Sequence, residues 1–127
     1  MRGVEPNGNE KLTLLELVLQ LHGEFRRRLE PIRVTPLQAG VLLFLRRHAE
    51  ARLTEAAASL RVREPTLSEV VKDLVRKQWV IKRRSVKDTR AVCLSLSPRG
   101  KRLAQRIEGQ GRQVRTQVEY KIVAKQQ

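Results

Sequence analysis

Counting from Ala57, apolar residues fall at Leu60, Val62, Leu67 and Val70, and few folds accommodate that spacing. It puts a small residue where two helices touch, an apolar residue in the turn between them, and two more anchoring the second helix, which is the pattern of a helix-turn-helix. Thr54 is expected to cap the first, Ala-rich helix over residues 55–60. Arg61 stands at the turn, where Gly is often found. Pro65 tolerates only the first turn of a helix, so the second helix opens at Glu64 and runs to about Gln78. At 100° per residue, Leu67, Val70, Val71 and Leu74 point inward. Pro65, Glu69, Lys72 and Arg76 point outward, flanked by Thr66, Ser68 and Asp73. A nucleic-acid groove could meet such a face, and so could water.

The next segment favours the groove. Trp79-Val80-Ile81 is strongly strand-forming, and Val92–Leu96 alternates as a half-buried strand does. The ten-residue loop expected between them holds Lys82, Arg83, Arg84, Lys87 and Arg90, cations that repel one another unless an anion lies alongside. Asp88, its one acid, is assigned a shaping role, pairing with Arg90 or with a turn N–H. The chain has 27 Lys and Arg against 13 Asp and Glu, a net charge of +14. Residues 76–106 alone carry eleven bases and one acid, so the charge is focused rather than spread. A basic hairpin tip suits a minor groove, whose negative potential attracts Arg. The expected partner is double-stranded DNA, with Arg63, Arg76, Arg83, Arg84, Lys87 and Arg90 among the contacting residues.

The remaining residues read as a frame. From Glu10, Leu14, Val18, Leu21, Phe25 and Leu29 form one helical stripe, and Leu12, Leu15, Leu19 and His22 form another. One stripe can face the chain's own core and the other a second subunit; the alternative is a helix sunk deeply in its own core. Arg26, Arg27 and Arg28 near the end of that helix complement its dipole or reach phosphates, and Pro31 ends it. Thr35-Pro36-Leu37-Gln38 is a capping box with Pro at the first helical position, opening a core helix from Pro36 to about His48. Ser97-Pro98 starts another helix, expected to run to Glu108 and be interrupted by Gly109-Gln110-Gly111. Val114, Val118 and Ile122 then resume a stripe. With Leu12, Leu15 and Leu19 they supply apolar surface at both chain ends, which a two-fold axis would pair into a homodimer.

The fold class is therefore mainly α with a small β-hairpin wing. A length of 127 residues suits one domain. Within it, residues 10–30 and 98–125 are read as dimerisation helices and 36–97 as the DNA-binding lobe, with the helix-turn-helix at 54–78 and the wing at 79–97. Residues 1–9 are expected to be poorly ordered.

The order helix, helix, helix-turn-helix, wing, long helix resembles the multiple antibiotic resistance regulator (MarR) family of winged-helix transcription factors. The most specific match is Asp88-x-Arg90, then Leu94-x-Leu96-Ser97, then Gly100, supported by Thr35-Pro36-Leu37-Gln38 and by Leu53-Thr54. It covers roughly residues 12–107. The resemblance implies a homodimer with interlocked terminal helices, recognition helices in successive major grooves, and wings in flanking minor grooves. Carried over by position, Arg90 is similar to the minor-groove arginine, and Thr66, Ser68, Glu69 and Lys72 to the groove-facing residues. Family members often bind small phenolic or other lipophilic effectors. The chain departs from the pattern in three places. Glu69 replaces a commonly basic residue, where it could accept from a cytosine N4 amino group or weaken phosphate contact. Gln78 replaces the usual helix-ending Gly, which counts against a left-handed cap there. The C-terminal helices look short.

A catalytic reading has little support. Two His and one Cys show no metal-ligand spacing, no Gly-rich phosphate loop is present, and no cofactor is implied. Cys93, inside a strand, reads as a buried small hydrophobe ahead of a redox sensor. A lone Cys fits a reducing compartment, and no apolar run is long enough to span a bilayer or act as a secretion signal, so a cytoplasmic location is expected. The competing reading is a winged-helix protein-interaction module, or a protein that binds nucleic acid without sequence preference.

Overall fold

The structure, a computed structural model, describes residues 13–88 and 90–126, with the backbone alone for residues 118 and 120–126. Residues 1–9 and Leu12 therefore lie outside the described residues, as do the side chains of Val118 and Ile122. In chain order the elements are α1 (Leu14–Leu29), a 3-10 turn (Glu30–Ile32), α2 (Pro36–Arg47), β1 (Ala51–Arg52), α3 (Leu53–Leu60) and α4 (Glu64–Arg76). The wing strands β2 (Val80–Arg84) and β3 (Val92–Leu96) follow, and then α5 (Pro98–Gln126).

Helix α2 is the centre of the packing. Its Ala39, Val41, Leu42, Phe44 and Leu45 are buried, because apolar residues cover most of its girth. Its N-terminus carries the expected capping box. Gln38 N–H donates to Thr35 Oγ1 at 3.1 Å and Thr35 N–H donates to Gln38 Oε1 at 3.0 Å. Gln38 has a second task, since its Nε2 donates to Asp73 Oδ2 on α4 at 2.7 Å. One buried side-chain amide thus ties the start of α2 to the recognition-helix candidate. The Ala-rich surface of α3 does what small residues allow: Ala56 and Ala57 are buried and Leu60 comes within contact of Gly40 on α2. Thr54 is not the cap of α3, which begins one residue earlier. Arg52 occupies the cap position, and Glu55 accepts its N–H at 2.7 Å.

Three helical segments end in one way. Arg33, Arg61 and Gln78 have φ of 65°, 56° and 65°. Their N–H groups reach back to the carbonyls of Glu30, Ala58 and Val75, and those of the following residues reach Leu29, Ala57 and Leu74. This double closure satisfies terminal carbonyls, and an apolar residue after the turn normally locks it. Val34, Val62 and Trp79 fill that place, one buried and two packed on the core. Gln78 therefore does take the left-handed cap that its side chain argued against. The closing hydrogen bonds outweigh crowding of the order of 1 kcal/mol.

The sheet has the order β1-β3-β2, antiparallel throughout. β1 has only two residues and so no periodicity in the sequence; it pairs Ala51 with Leu94 and Arg52 with Cys93. β2 and β3 pair from Val80 with Leu96 out to Arg84 with Val92, so Lys82, Arg83 and Arg84 belong to the strand and the connecting loop is shorter than the expected ten residues. At the base of the wing, Ser97 clasps the turn that follows α4. Its Oγ donates to Gln78 O at 2.7 Å and accepts Gly100 N–H at 3.0 Å, while its own N–H donates to Trp79 O at 3.0 Å. A Cβ on Gly100 would stand 2.0 Å from that Trp79 oxygen, which explains why Gly follows Ser at this interval.

Helix α5 is not interrupted at Gly109-Gln110-Gly111; it runs unbroken for 29 residues. Gly111 is instead a contact point, where the Phe25 ring of α1 approaches to 3.6 Å of where a Cβ would be. Val114, expected at a subunit interface, is fully buried within the chain itself. On α1, Leu14, Leu15, Val18 and Leu19 are left outside, between 51% and 78% exposed.

Two substitutions test these backbone arguments by denaturant unfolding. Gly100→Ala is expected to cost about 3 kcal/mol, because the neighbour it meets is backbone and cannot rotate away. Arg61→Gly is expected to gain about 0.5–1 kcal/mol by relieving a left-handed non-Gly residue.

Candidate nucleic-acid interface

The outward face of α4 is polar for a simple reason. Leu67, Val71 and Leu74 are buried at helical spacing, so Pro65, Glu69, Lys72 and Arg76 on the far side face solvent, with Thr66 exposed beside them and Ser68 half-buried. Glu69 accepts from Lys72 Nζ at 3.1 Å. Both ends of that pair are well exposed, so the interaction is weak and either side chain can exchange it for another partner. Toward the end of the helix the charges are engaged: Asp73 is held by Gln38 and lies 3.5 Å from Arg76 and 3.3 Å from Lys77. Asp73 is thus a packing residue, and the first two turns of α4 offer the uncommitted polar surface.

The wing extends the same region. Lys82, Arg83 and Arg84 are exposed along β2, and Arg83 donates to Glu50 at 2.7 Å. Beyond the Ser85 N–H to Ala91 carbonyl bond, the tip is shaped by short polar side chains. Ser85 Oγ accepts the N–H groups of Lys87 and Asp88 at 3.2 and 3.3 Å. Asp88 accepts the Arg90 N–H at 3.0 Å through its side chain, and the Ala91 N–H at 2.9 Å through its carbonyl. Of the two shaping roles foreseen for Asp88, the structure has the turn N–H. That leaves the Arg90 guanidinium without an ion pair among the described residues, and Arg63 and Lys87 are likewise without one.

Wing and helix meet. Asp88 and Arg90 line a hollow of about 290 Å³ together with Arg52, Thr54 and Glu64, so the tip of the wing borders the first turns of α3 and α4. Arg52 was missed by sequence reasoning, since it precedes the helix-turn-helix pattern and gains its place only through the pairing of β1 with β3. Cys93 is half-buried on β3, opposite Arg52 on one side and Arg83 on the other. Among the described residues no three His, Cys, Asp or Glu side chains gather as a metal site would require.

A second feature lies at the junction of α1 and α5. The Arg28 guanidinium donates to the side-chain carbonyls of Gln113 at 2.7 Å, Gln117 at 2.9 Å and Gln110 at 3.4 Å. Its Nε is buried without a partner among the described residues. Of the three arginines near the end of α1, Arg28 is therefore turned inward, and Arg27 pairs with Glu24. An open groove of about 670 Å³ beside Arg28 is also lined by Arg112 and Thr116.

Comparison with known proteins agrees with this geometry. No curated protein matches the chain by sequence. Wild-type MarR from E. coli in its apo form is 22% identical, over 91% of this chain and 83% of that one, with a TM-score of 0.79. A mutant MarR from E. coli complexed with operator DNA is also 22% identical, over 80% and 74%, with a TM-score of 0.75. Reduced AbfR bound to DNA is 21% identical, over 76% and 70%, with a TM-score of 0.69. These likenesses establish a shared winged-helix fold. Residues 34–91, from the end of the 3-10 turn to the tip of the wing, match the sequence model of the MarR family. Over that stretch the chain is similar to the MarR family, and its fold is the one these solved structures share.

Proposed function

We propose that the protein is a transcriptional regulator that binds double-stranded DNA as a homodimer, with α4 in the major groove and the wing in an adjacent minor groove. The observation that carries the reading is the shared hollow between α4 and the wing. It places the first turn of α4 beside the wing tip that carries Arg90, and from there we extend the contact surface to Arg63, Thr66, Ser68, Glu69 and Lys72 on the helix side and to Lys87 on the wing. Arg84 and Arg83 on β2 and Arg76 at the end of α4 extend the basic surface. The solved complexes of MarR with operator DNA and of AbfR with DNA support the same use of this fold. In this reading the protein is a DNA-binding regulator and not an enzyme, in keeping with its similarity to the MarR family over residues 34–91.

In this reading residues 36–97 are the DNA-binding lobe, with the helix-turn-helix at 54–78 and the wing at 79–97, and residues 10–30 and 98–125 serve dimerisation. The exposed Leu14, Leu15, Val18 and Leu19 support the assignment, because a contiguous apolar stripe on a helix needs a covering partner. The distal part of α5, with Val118 and Ile122, is the proposed counterpart across the two-fold. The groove beside Arg28 is the proposed place for a small lipophilic or phenolic effector. No helix among the described residues is long and apolar enough to cross a membrane, and we place the protein in the cytoplasm, where DNA and a reduced Cys93 coexist.

Selection of bound duplexes from a random pool tests the reading directly: a palindromic motif is expected, and recovery of unrelated sequences would contradict it. For the selected duplex, log K should fall with log salt by about 0.9 per phosphate neutralised. Arg90→Ala should weaken binding about tenfold and reduce that slope by about one, with the dimer intact. The pair of changes Leu15→Asp and Leu19→Asp should instead convert the protein to a monomer in sedimentation, and a monomeric wild type would refute the dimer.

A further inference from the structure

Val86 sits at the tip of the wing with 98% of its surface exposed, the most exposed large hydrophobic side chain among the described residues. It is also the only apolar residue in the run from Lys82 to Arg90, where every other side chain is charged or hydroxylated. The turn around it is held from below. Ser85 Oγ accepts the next two N–H groups after Val86, Asp88 takes the N–H groups of Arg90 and Ala91, and Ser85 N–H bonds to Ala91. A side chain exposed to this degree contributes nothing to the core, so the fold gives no reason for an isopropyl group at the end of a cationic hairpin.

We propose that Val86 is a specificity-determining residue, an apolar probe that favours minor-groove floors lacking the guanine amino group. The proposal rests on the reading above, in which the wing enters a minor groove. That groove is roughly 6 Å wide, enough for a valine side chain, and A·T and G·C pairs differ there chiefly by the guanine N2 amino group. Flanking cations on the same hairpin, Arg84, Lys87 and Arg90, neutralise the phosphate walls and bring the tip to the floor. Against an A·T pair the isopropyl group meets the flat adenine C2–H edge. Against a G·C pair it strips water from an N–H donor and offers no acceptor, a burial that goes uncompensated. Apolar side chains entering minor grooves are a known means of contact, though as wedges that unstack bases; here the single branched residue is short and acts on the groove floor.

The test uses the full chain and two forms of one duplex, the selected motif flanked where the wing would reach by inosine–cytosine or by guanine–cytosine pairs. Both present the same major-groove pattern, and they differ only in the minor-groove amino group. At one salt concentration the wild type is expected to bind the inosine duplex about tenfold more tightly. Val86→Ser is expected to bring the two affinities to within about twofold of each other with an unchanged melting temperature, and Val86→Ile to restore the preference. A Val86→Ser protein that keeps the full preference overturns the proposal, because discrimination then comes from groove width sensed by the arginines. A wild type that binds both duplexes equally overturns it as well. Failure to bind either duplex removes the DNA-binding reading itself, an outcome distinct from the other two.

Discussion

Everything that gives this molecule its shape near the wing depends on two backbone carbonyls, those of Gln78 and Trp79. The end of α4, the first residue of β2, the last of β3 and the first turn of α5 converge on them, held by the hydroxyl and N–H of Ser97 and by the absence of a side chain at Gly100. These are short-range bonds with large reach. The direction in which α4 presents its outer face and the direction in which the wing leaves the body are both set there, so the two surfaces proposed to touch one duplex share a single anchor. Gln38 performs a similar service at the other side of α4, capping α2 and holding Asp73 with the same amide.

How much of this was legible beforehand follows from where the information resides. The helix-turn-helix was readable from Ala57 onward because its packing requirements fall at fixed intervals, and the capping box at Thr35 because two side chains three residues apart announce it. The wing's signature, Asp88-x-Arg90 and Ser97 with Gly100, was visible as a pattern; its reasons became visible only as hydrogen bonds. Three features could not be read locally. β1 is too short to show a period, Gly111 within α5 packs beside Phe25 of a distant helix, and the inward turn of Arg28 depends on three glutamines more than eighty residues away. Val114 illustrates the same limit from the other direction. A stripe on a helix shows that something covers it, and the cover turned out to be the chain's own body.

The distribution of charge separates structural cations from available ones. Arg27, Arg46, Arg83 and Lys77 all have carboxylate partners, and Arg28 is satisfied by amides. Arg63, Lys87 and Arg90 have none among the described residues, and Arg90 lies where the wing borders the first turns of α3 and α4. A polyanion approaching cations that have no carboxylate partner gains attraction without first displacing an ion pair. Glu69 sits within this field already paired to Lys72, and releasing that pair presents one acceptor and one cation to the groove at once.

The unbroken course of α5 has a mechanical consequence. A straight helix of 29 residues is about 43 Å long, and its first turn is fixed to the base of the wing by Ser97. It is therefore a lever whose fulcrum lies beside the proposed DNA-contacting parts and whose long arm ends far from them. A tilt of about 10° at the fulcrum would sweep the tip through roughly 7 Å. Where two such tips are joined, small rotations of either lobe become coupled displacements of the other, and the stiffness of one helix sets how far apart two wings can stand.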